Sequence, residues 1–360
     1  MSILVTAAGG APAINFVRSL RLAPKKFDIV GADANKYYLQ RSCADRNFLV
    51  PMASDPDFIP ILNLLTVEED IQFIYSQNDS EIPVISKNRD KLMARTFLPD
   101  HKTIEICQDK YASYQKWMEA GIKVPRTILI RNLEDLERAF RTLGPSIWVR
   151  ETSGAFGKNS LPTSRLEQAR QWIDFHEGWG HFSAAEYLSP NSTTWQSIWW
   201  HGELVVAQGR VRLYWEFANR SPSGITGLTG TGVTITDPTV DEIAQRAILA
   251  IDPHPHGIFS VDLTYDAGGI PNPTEINIAR FFTTHLFFST AGLNMPYIYL
   301  QLALEGKAPP IPKKINPLPP DLAWIRGMDV EPVLTTVAEI DECEKDLQRM
   351  RERLAERSVP

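Results

Sequence analysis

Residues 259–280 read FSVDLTYDAGGIPNPTEINIAR, which is the pattern of two strands joined by a turn. The first half alternates apolar and polar residues at period two and places Asp262 on the polar face of a strand. Residues 266–269 supply the turn, because glycine adopts positive φ without steric cost. In the returning half, Glu275 and Asn277 share one strand face, so the stretch predicts a β-hairpin.

If the two strands pair, Asp262, Glu275 and Asn277 converge on one face of this hairpin. Two carboxylates and an amide oxygen are hard oxygen ligands, which suit Mg²⁺ when phosphate oxygens complete its shell. A solvated hairpin face would show the same alternation. The stretch alone therefore leaves both interpretations open, and the rest of the chain has to decide between them.

Composition limits the class of protein. A chain of 360 residues with 43% hydrophobic and 22% charged residues is expected to form two or three globular domains. A net charge of −6 argues against nucleic acid or an acidic membrane as partner, since both require a basic surface. The three cysteines, Cys43, Cys107 and Cys343, have no metal or disulfide spacing, and the N-terminus has no signal-peptide pattern. We therefore expect a cytoplasmic protein.

The first hundred residues predict an α/β domain. Short apolar strands near residues 3–5, 27–31 and 73–75 alternate with helical segments, which implies a parallel sheet with right-handed crossovers. Gly9-Gly10 before a helix, with Asp33 after the next strand, is similar to part of a dinucleotide site. Because the full G-x-G-x-x-G is absent, a turn that faces a small-molecule crevice is favoured over NAD binding.

The middle of the chain carries signals for phosphate binding. Asp109-Lys110 opens a helix that ends at Gly121. A strand at residues 147–150 leads into ETSGAFGKNS at 151–160, which combines two glycines, three hydroxyl residues and Lys158. Such a loop brings backbone N–H groups, hydroxyls and a cation to phosphate oxygens. A plain hairpin loop is the alternative.

A second hairpin is predicted from residues 194–200 and 204–214. Arg210 and Arg212 share a face of its returning strand, where their planar guanidinium groups could hold phosphates or a substrate carboxylate. A solvated sheet edge is the alternative. The glycine-rich segment 221–232 (SPSGITGLTGTG) is expected to be a mobile loop near the site.

Because these features follow one another in this order along the sequence, the chain resembles the ATP-grasp superfamily, in particular its carbamoyl-phosphate-synthase large-subunit-like and biotin-carboxylase-like branch. The resemblance runs from about residue 3 to about residue 300. The segments that carry it are Asp109-Lys110 with residues 121–125 (GIKVP), the loop 152–160, residues 185–188 (AEYL), and Asp262 with Glu275-Ile276-Asn277.

The resemblance implies an α/β chain with α+β lobes and the ATP-grasp fold. A Rossmann-like pre-ATP-grasp domain would cover 1–107, a small lid lobe 108–189, and a C-terminal lobe with the Mg²⁺ site 190–305. Beyond the resemblance, composition and spacing predict that residues 306–360 form a proline-rich strap and a C-terminal helix, Val337–Arg357. Docking of this helix on its own domain is favoured, and pairing across a homodimer is the alternative.

The resemblance also implies ATP and Mg²⁺ as cofactors and assigns roles to residues. The nucleotide would be held by Lys110 and Arg150 at the phosphates, by the loop residues Ser153, Gly154, Gly157 and Lys158, and by Glu186 with the backbone of Tyr187 and Leu188 at the adenine. Asp262, Glu275 and Asn277 would bind Mg²⁺. Arg280 would stabilise the transferred phosphate, and we add Arg210 as a second catalytic cation.

Two positions depart from the family pattern. Arg150-Glu151 stands where Lys-Pro is common, which keeps the charge but changes its geometry. The family's E-x-N-x-R becomes Glu275 and Asn277 followed by two residues before Arg280. The extra residue should turn Arg280 to the other strand face unless a bulge intervenes.

Similar enzymes activate a carboxylate with the γ-phosphate of ATP and pass the acyl phosphate to an amine, forming an amide, ADP and phosphate. We therefore predict an ADP-forming carboxylate–amine ligase with small-molecule carboxylate and amine substrates. The alternatives are an ATP-grasp kinase for a small-molecule hydroxyl and a non-catalytic ATP-binding regulatory protein. Specificity is expected to lie in residues 9–15, 78–81, 221–232 and 283–285.

Overall fold

The computed structural model describes residues 1–154 and 157–357. Ala155 and Phe156, which belong to the predicted phosphate-covering loop, and residues 358–360 lie outside the described residues. The described chain forms three sheets, one parallel and two antiparallel. No helix in the described ranges is long and apolar enough to cross a membrane.

The first sheet is parallel and has the strand order β3-β2-β1-β4. Its first strand is buried along its whole length, which explains its continuous apolar sequence: helices cover both faces of parallel sheets. Its strands are β1 (Ser2–Thr6), β2 (Asp28–Asp33), β3 (Arg46–Leu49) and β4 (Ile71–Tyr75). Its helices are α1 (Ala11–Arg21), α2 (Lys36–Leu39), α3 (Phe58–Glu68) and α4 (Glu81–Lys87), followed by α5 (His101–Gln108) and α6 (Lys110–Glu119).

The second sheet is small, antiparallel and ordered β5-β8-β6-β7. Two amphipathic helices contribute to an apolar cluster that includes Ile130, Leu136, Ile173 and Phe182, separate from the two larger clusters. A lobe with its own core can move as a unit. The strands are β5 (Thr127–Ile130), β6 (Ile147–Glu151), β7 (Leu161–Thr163) and β8 (Phe182–Glu186), and the helices are α7 (Leu133–Thr142) and α8 (Leu166–Phe175).

The third sheet has six strands in the order β13-β12-β9-β10-β11-β14. Helix α9 begins after Asp237, whose side chain accepts hydrogen bonds from the first turn, and it packs on β12 and β13. The strands are β9 (Ser192–Trp200), β10 (Glu203–Arg212), β11 (Thr231–Ile235), β12 (Gly257–Tyr265), β13 (Pro271–Ile278) and β14 (Ala323–Ile325). The helices are α9 (Pro238–Ile251), α10 (Leu286–Thr290) and α11 (Met295–Glu305).

Residues after 305 connect two of the sheets. Strand β14 extends the six-stranded sheet at β11. The last helix, α12 (Val337–Arg357), packs instead on β3 and α3, with Met350 buried and Lys36 bonded to Asp341 at 3.0 Å. The helix thus docks on its own chain, while the homodimer and the exact limits of the lobes stay predictions.

A buried carboxyl group lies in the crevice at the carboxyl ends of β1 and β4. Glu81 accepts hydrogen bonds from Thr6 Oγ1 and, at 2.8 Å, from Ser76 Oγ. Burial raises the pKa of Glu81 to about 7, and nearby Asp33 acts in the same direction. Because this pKa is above that of an unfolded glutamate, the folded state binds an extra proton between about pH 4.5 and about pH 7.

Stability should therefore fall as pH rises through that interval. The variant Glu81→Gln keeps the side chain neutral, so we expect its advantage over wild type to be larger at pH 8 than at pH 5 by on the order of 2 kcal/mol. Urea unfolding at the two pH values measures this difference. An equal effect of the substitution at both pH values would contradict the assignment.

Candidate active site

The hairpin of β12 and β13 forms in the register that brings the three predicted metal ligands to one face. Asp262 lies opposite Glu275, and Ser260 lies opposite Asn277. The register shifts after Asp262, because Thr274 is an extra residue in the returning strand. The bulge exposes the carbonyl of Thr274, which accepts a hydrogen bond from Arg150 Nη2 at 2.9 Å.

Hydrogen bonds hold the oxygen atoms of this face in place. Asp262 Oδ1 accepts from Thr194 Oγ1 at 2.5 Å, and Asp262 Oδ2 accepts from Asn277 Nδ2 at 3.0 Å. The described residues contain no group of three or more His, Cys, Asp or Glu side chains that could enclose a metal. Two carboxylates and one amide oxygen on one strand face are hard oxygen ligands, of the kind that fits a Mg²⁺ ion with phosphates and water as its other ligands.

Two cations lie beside Glu275. Helix α6 is capped by Asp109, and its first residue, Lys110, is 9% exposed. Lys110 Nζ is 3.8 Å from Glu275 Oε1 and donates to the carbonyl of Gly154 at 2.6 Å. Burial lowers the pKa of Arg150, and the charge of Glu275 opposes this effect. The Nε atom of Arg150 is buried without a hydrogen-bond partner in the described part of the chain, as expected for a group that awaits an anion.

The described part of the phosphate-covering loop joins β6 to β7 next to these cations. Its Ser153, Gly154 and Lys158 are exposed to solvent. Gly157 has a φ of +64°, and a Cβ atom there would lie 2.7 Å from the side chain of Ile225. The loop therefore contacts the second glycine-rich segment, residues 221–232, which belongs to the connection between β10 and β11.

The predicted adenine residues lie at the end of β8. The carboxylate of Glu186 binds the backbone N–H and the guanidinium of Arg126 at 2.7–2.8 Å, so this side chain links β8 to the chain before β5. Tyr187 is 49% exposed, and Leu188 is half-buried. Contact of these residues with adenine stays a prediction.

Arg210 and Arg212 are buried, so the alternative of a solvated sheet edge was wrong. Arg210 lies opposite Thr194 of β9, and Thr194 lies opposite Asp262 of β12. One row of side chains thus crosses the sheet. Arg212 Nη2 is 4.0 Å from Asp262 Oδ1. Burial lowers the pKa of Arg210 to about 9, and Arg212 and Arg326 contribute in the same direction.

Arg280 returns to the metal face although it is one residue out of the family spacing. Ala279 has a φ of +61°, which turns the chain after β13. Arg280 Nη2 then donates to Asn277 Oδ1 at 2.6 Å. Its Nε and Nη2 atoms also bind the two carboxylate oxygens of Asp79 at 2.5 and 3.0 Å. Sequence reasoning missed this pairing, because Asp79 lies about two hundred residues away.

The ion pair joins the connection between β4 and α4 to the end of the β12–β13 hairpin. In Asp79→Asn, Arg280 loses its counter-ion while 15% exposed, so we expect the free energy of unfolding to fall by about 1–3 kcal/mol. Urea unfolding of Asp79→Asn and of the exposed control Asp90→Asn measures this. Equal stability of the two variants would show that the pair contributes nothing.

Thr194 and Arg326 were also missed by sequence reasoning. Thr194 could have been found, because residues 192, 194 and 196 form a polar face at period two. Arg326 gave no local signal, because it reaches the site only through the pairing of β14 with β11.

The three sheets and their order define the ATP-grasp fold behind a Rossmann-like N-terminal sheet, and solved structures confirm this fold. N5-carboxyaminoimidazole synthetase from Staphylococcus aureus aligns with 86% of this chain over 78% of its own, with a TM-score of 0.64 and 15% identity. L-amino acid ligase from Bacillus licheniformis aligns with 86% of this chain over 77% of its own length, with a TM-score of 0.64 and 14% identity.

A third similar structure is the biotin carboxylase domain of 2-oxoglutarate carboxylase from Hydrogenobacter thermophilus, in complex with MgADP, ADP and bicarbonate. It aligns with 89% of this chain over 73% of its own, with a TM-score of 0.68 and 13% identity. No protein-family model and no curated protein sequence matches the chain. At these identities the likeness establishes the fold, and the activity has to be argued from the site.

Proposed function

We propose that the protein is an ATP- and Mg²⁺-dependent carboxylate–amine ligase that forms ADP through an acyl phosphate. The observation that carries this proposal is the order of charges across the six-stranded sheet. Cations at Lys110 and Arg150 are followed by the carboxylates of Glu275 and Asp262, and then by further arginines on β10. The names of the similar structures, two of them a synthetase and a ligase, support the same class.

The nucleotide is assigned to the end of the row at β13. Lys110 and Arg150 would contact its phosphates beneath the loop that carries Ser153, Gly154, Gly157 and Lys158. Glu186 and the backbone of Tyr187 and Leu188 would border its adenine. Asp262, Glu275 and Asn277 would hold Mg²⁺, which neutralises charge on the phosphoryl group and aligns its oxygens.

The carboxylate is assigned to the opposite end, because the attacking and leaving oxygens lie on opposite sides of the transferred phosphorus. A carboxylate oxygen attacks the γ-phosphorus, and the bond to ADP breaks. The amine nitrogen then attacks the acyl carbon, phosphate leaves, and the amine loses a proton. Arg210 and Arg280 would stabilise the anionic groups in both steps, and the two glycine-rich loops would exclude water from the acyl phosphate.

Release of ADP and phosphate from MgATP tests the proposal. The reaction is run without additions, with a pool of small carboxylic acids, with a pool of amino acids and amines, and with both pools together. A ligase gives the full rate of ADP and phosphate release only when a carboxylate and an amine are present, and mass spectrometry then detects the amide. ADP without phosphate, independent of amines, would show a kinase instead, and absence of MgATP binding would overturn both.

We also propose a cytoplasmic location.

A further inference from the structure

Three buried arginines converge on one threonine at the β10 end of the row. Arg210 Nη2 and Arg212 Nε donate to Thr229 Oγ1 at 3.3 and 3.0 Å. Arg326 Nη1 donates to the carbonyl oxygen of Thr229 at 3.2 Å. These distances are longer than the 2.7–2.9 Å or so typical of a guanidinium bound to an anion. Two neutral oxygens of Thr229 thus serve three cations.

Acidic groups do not balance this charge completely. Arg212 faces Asp262 at 4.0 Å, and Arg326 Nε forms an ion pair with Asp329 Oδ2 at 2.7 Å without the geometry of a hydrogen bond. Arg210 is 2% exposed and has no carboxylate within ion-pair distance in the described ranges; its Nε and Nη1 atoms are without hydrogen-bond partners there. The ring of Phe282 lies 4.6 Å from its guanidinium carbon. A buried cation with unpaired N–H groups is costly unless an anion completes the site.

The connection from β10 to β11 lies against these arginines and is held at its base. Trp215 pairs with Thr229 through an isolated bridge and stacks on Arg212 at 3.5 Å. Between them, residues 216–228 form a short 3-10 turn and irregular structure that carries the contact with Gly157. If the bridge between Trp215 and Thr229 opened, both Thr229 oxygens would leave the arginines and expose them.

Arg326 itself is fixed from two directions. Asp329, which forms the ion pair with Arg326, accepts a hydrogen bond from Asn15 Nδ2 of α1 at 2.9 Å, and its carbonyl accepts from Arg18 Nη1 at 2.8 Å. The C-terminal segment is therefore a wall of the site, and its position is set by the first sheet's helix α1.

We propose that Arg210, Arg212 and Arg326 form the binding site for the carboxylate of the substrate, and that Thr229 occupies this site in the closed conformation. A carboxylate presents two coplanar oxygens to the planar forks of arginine, as Thr229 now presents its hydroxyl and carbonyl oxygens. The role of the carboxylate in turnover rests on the proposed function, but its binding can be measured without turnover.

The test compares Arg326→Gln with Arg246→Gln, an exposed arginine on α9. Thermal unfolding and tryptophan fluorescence are followed while acetate, succinate, L-alanine, L-glutamate and, separately, inorganic phosphate are titrated in the presence of MgADP. We expect at least one carboxylate to raise the Tm of wild type and Arg246→Gln, and to bind Arg326→Gln about 10- to 100-fold more weakly. MgATP affinity should be equal in all three proteins.

A second variant guards against loss of folding. Thr229→Asp places a carboxylate among the arginines, so we expect a higher Tm without ligand and no response to carboxylates. Equal carboxylate affinity in Arg326→Gln and Arg246→Gln would overturn the proposal, as would a wild type that responds to phosphate alone or to no probe. If wild type binds MgATP but responds to no carboxylate, only the proposed carboxylate site is wrong. If wild type does not bind MgATP, the proposed function is wrong.

Discussion

ADP formation by the Glu275→Gln variant is expected to be about 10²- to 10³-fold slower than that of wild type. The substitution keeps the size of the side chain and removes the charge opposite Asp262 across the β12–β13 hairpin. It also removes the carboxylate that lies 3.8 Å from Lys110 Nζ and interacts with Arg150. On the proposed assignment, a Mg²⁺ ligand and the counter-charge of Lys110 and Arg150 would be lost together.

The measurement is ADP release at saturating MgATP, repeated at increasing Mg²⁺ concentration, with urea unfolding as a check on the fold. Glu242→Gln on the exposed face of α9 is the matched control and should retain wild-type rates. A Glu275→Gln protein with the rate of the control would remove the metal assignment of this hairpin.

The Lys110→Met variant is expected to bind ATP about 10- to 100-fold more weakly than wild type, because a charge-assisted contact with phosphate is lost. Lys110 is the buried first residue of α6, and its Nζ points to Gly154 of the phosphate-covering loop. Methionine retains the apolar part of the side chain, so the helix start should not change.

Isothermal titration with MgATP measures the affinity. Lys116→Met lies on the same helix with an exposed side chain and serves as the control. If the two variants bind MgATP with equal affinity, the phosphates of the nucleotide do not lie beside Lys110, and the proposed position at the β13 end of the row is wrong. Glu275→Gln and Lys110→Met test different contacts. The first removes a proposed Mg²⁺ ligand, whereas the second removes a protein cation that is proposed to contact phosphate.

The two strands could be predicted from sequence because their alternation is local, and a period of two places Glu275 and Asn277 on one face of β13. Asp262 joins that face only because the register shifts by one residue between Asp262 and Leu263. The extra residue at Thr274 could not be predicted in the same way. Its carbonyl is held by Arg150, more than a hundred residues earlier, so the bulge depends on contacts that no local pattern contains.

Arg280 shows the same limit. From spacing alone it should point away from Asn277, but Ala279 adopts a left-handed conformation that is uncommon outside glycine, asparagine and aspartate. A contact with Asp79 supports the resulting turn.

The burial of Arg210 could also not be predicted from the local sequence. Its strand has the alternation of a half-exposed hairpin, and residues distant in sequence close that face: the ring of Phe282 lies 4.6 Å from the guanidinium carbon of Arg210, and Thr229 accepts its hydrogen bond. The C-terminal segment had been expected to be an appendage, and its contribution to the site becomes visible only through tertiary pairing.

The docking of α12 on β3 and α3 has a consequence for synthesis. The ribosome releases residues 46–68 long before residues 337–357, by tens of seconds at roughly 5–20 residues per second. During that time the nascent first sheet has an unprotected edge strand at β3 and uncovered apolar positions on α3. A chaperone that shields this edge until translation ends would therefore be expected to increase the yield of native protein.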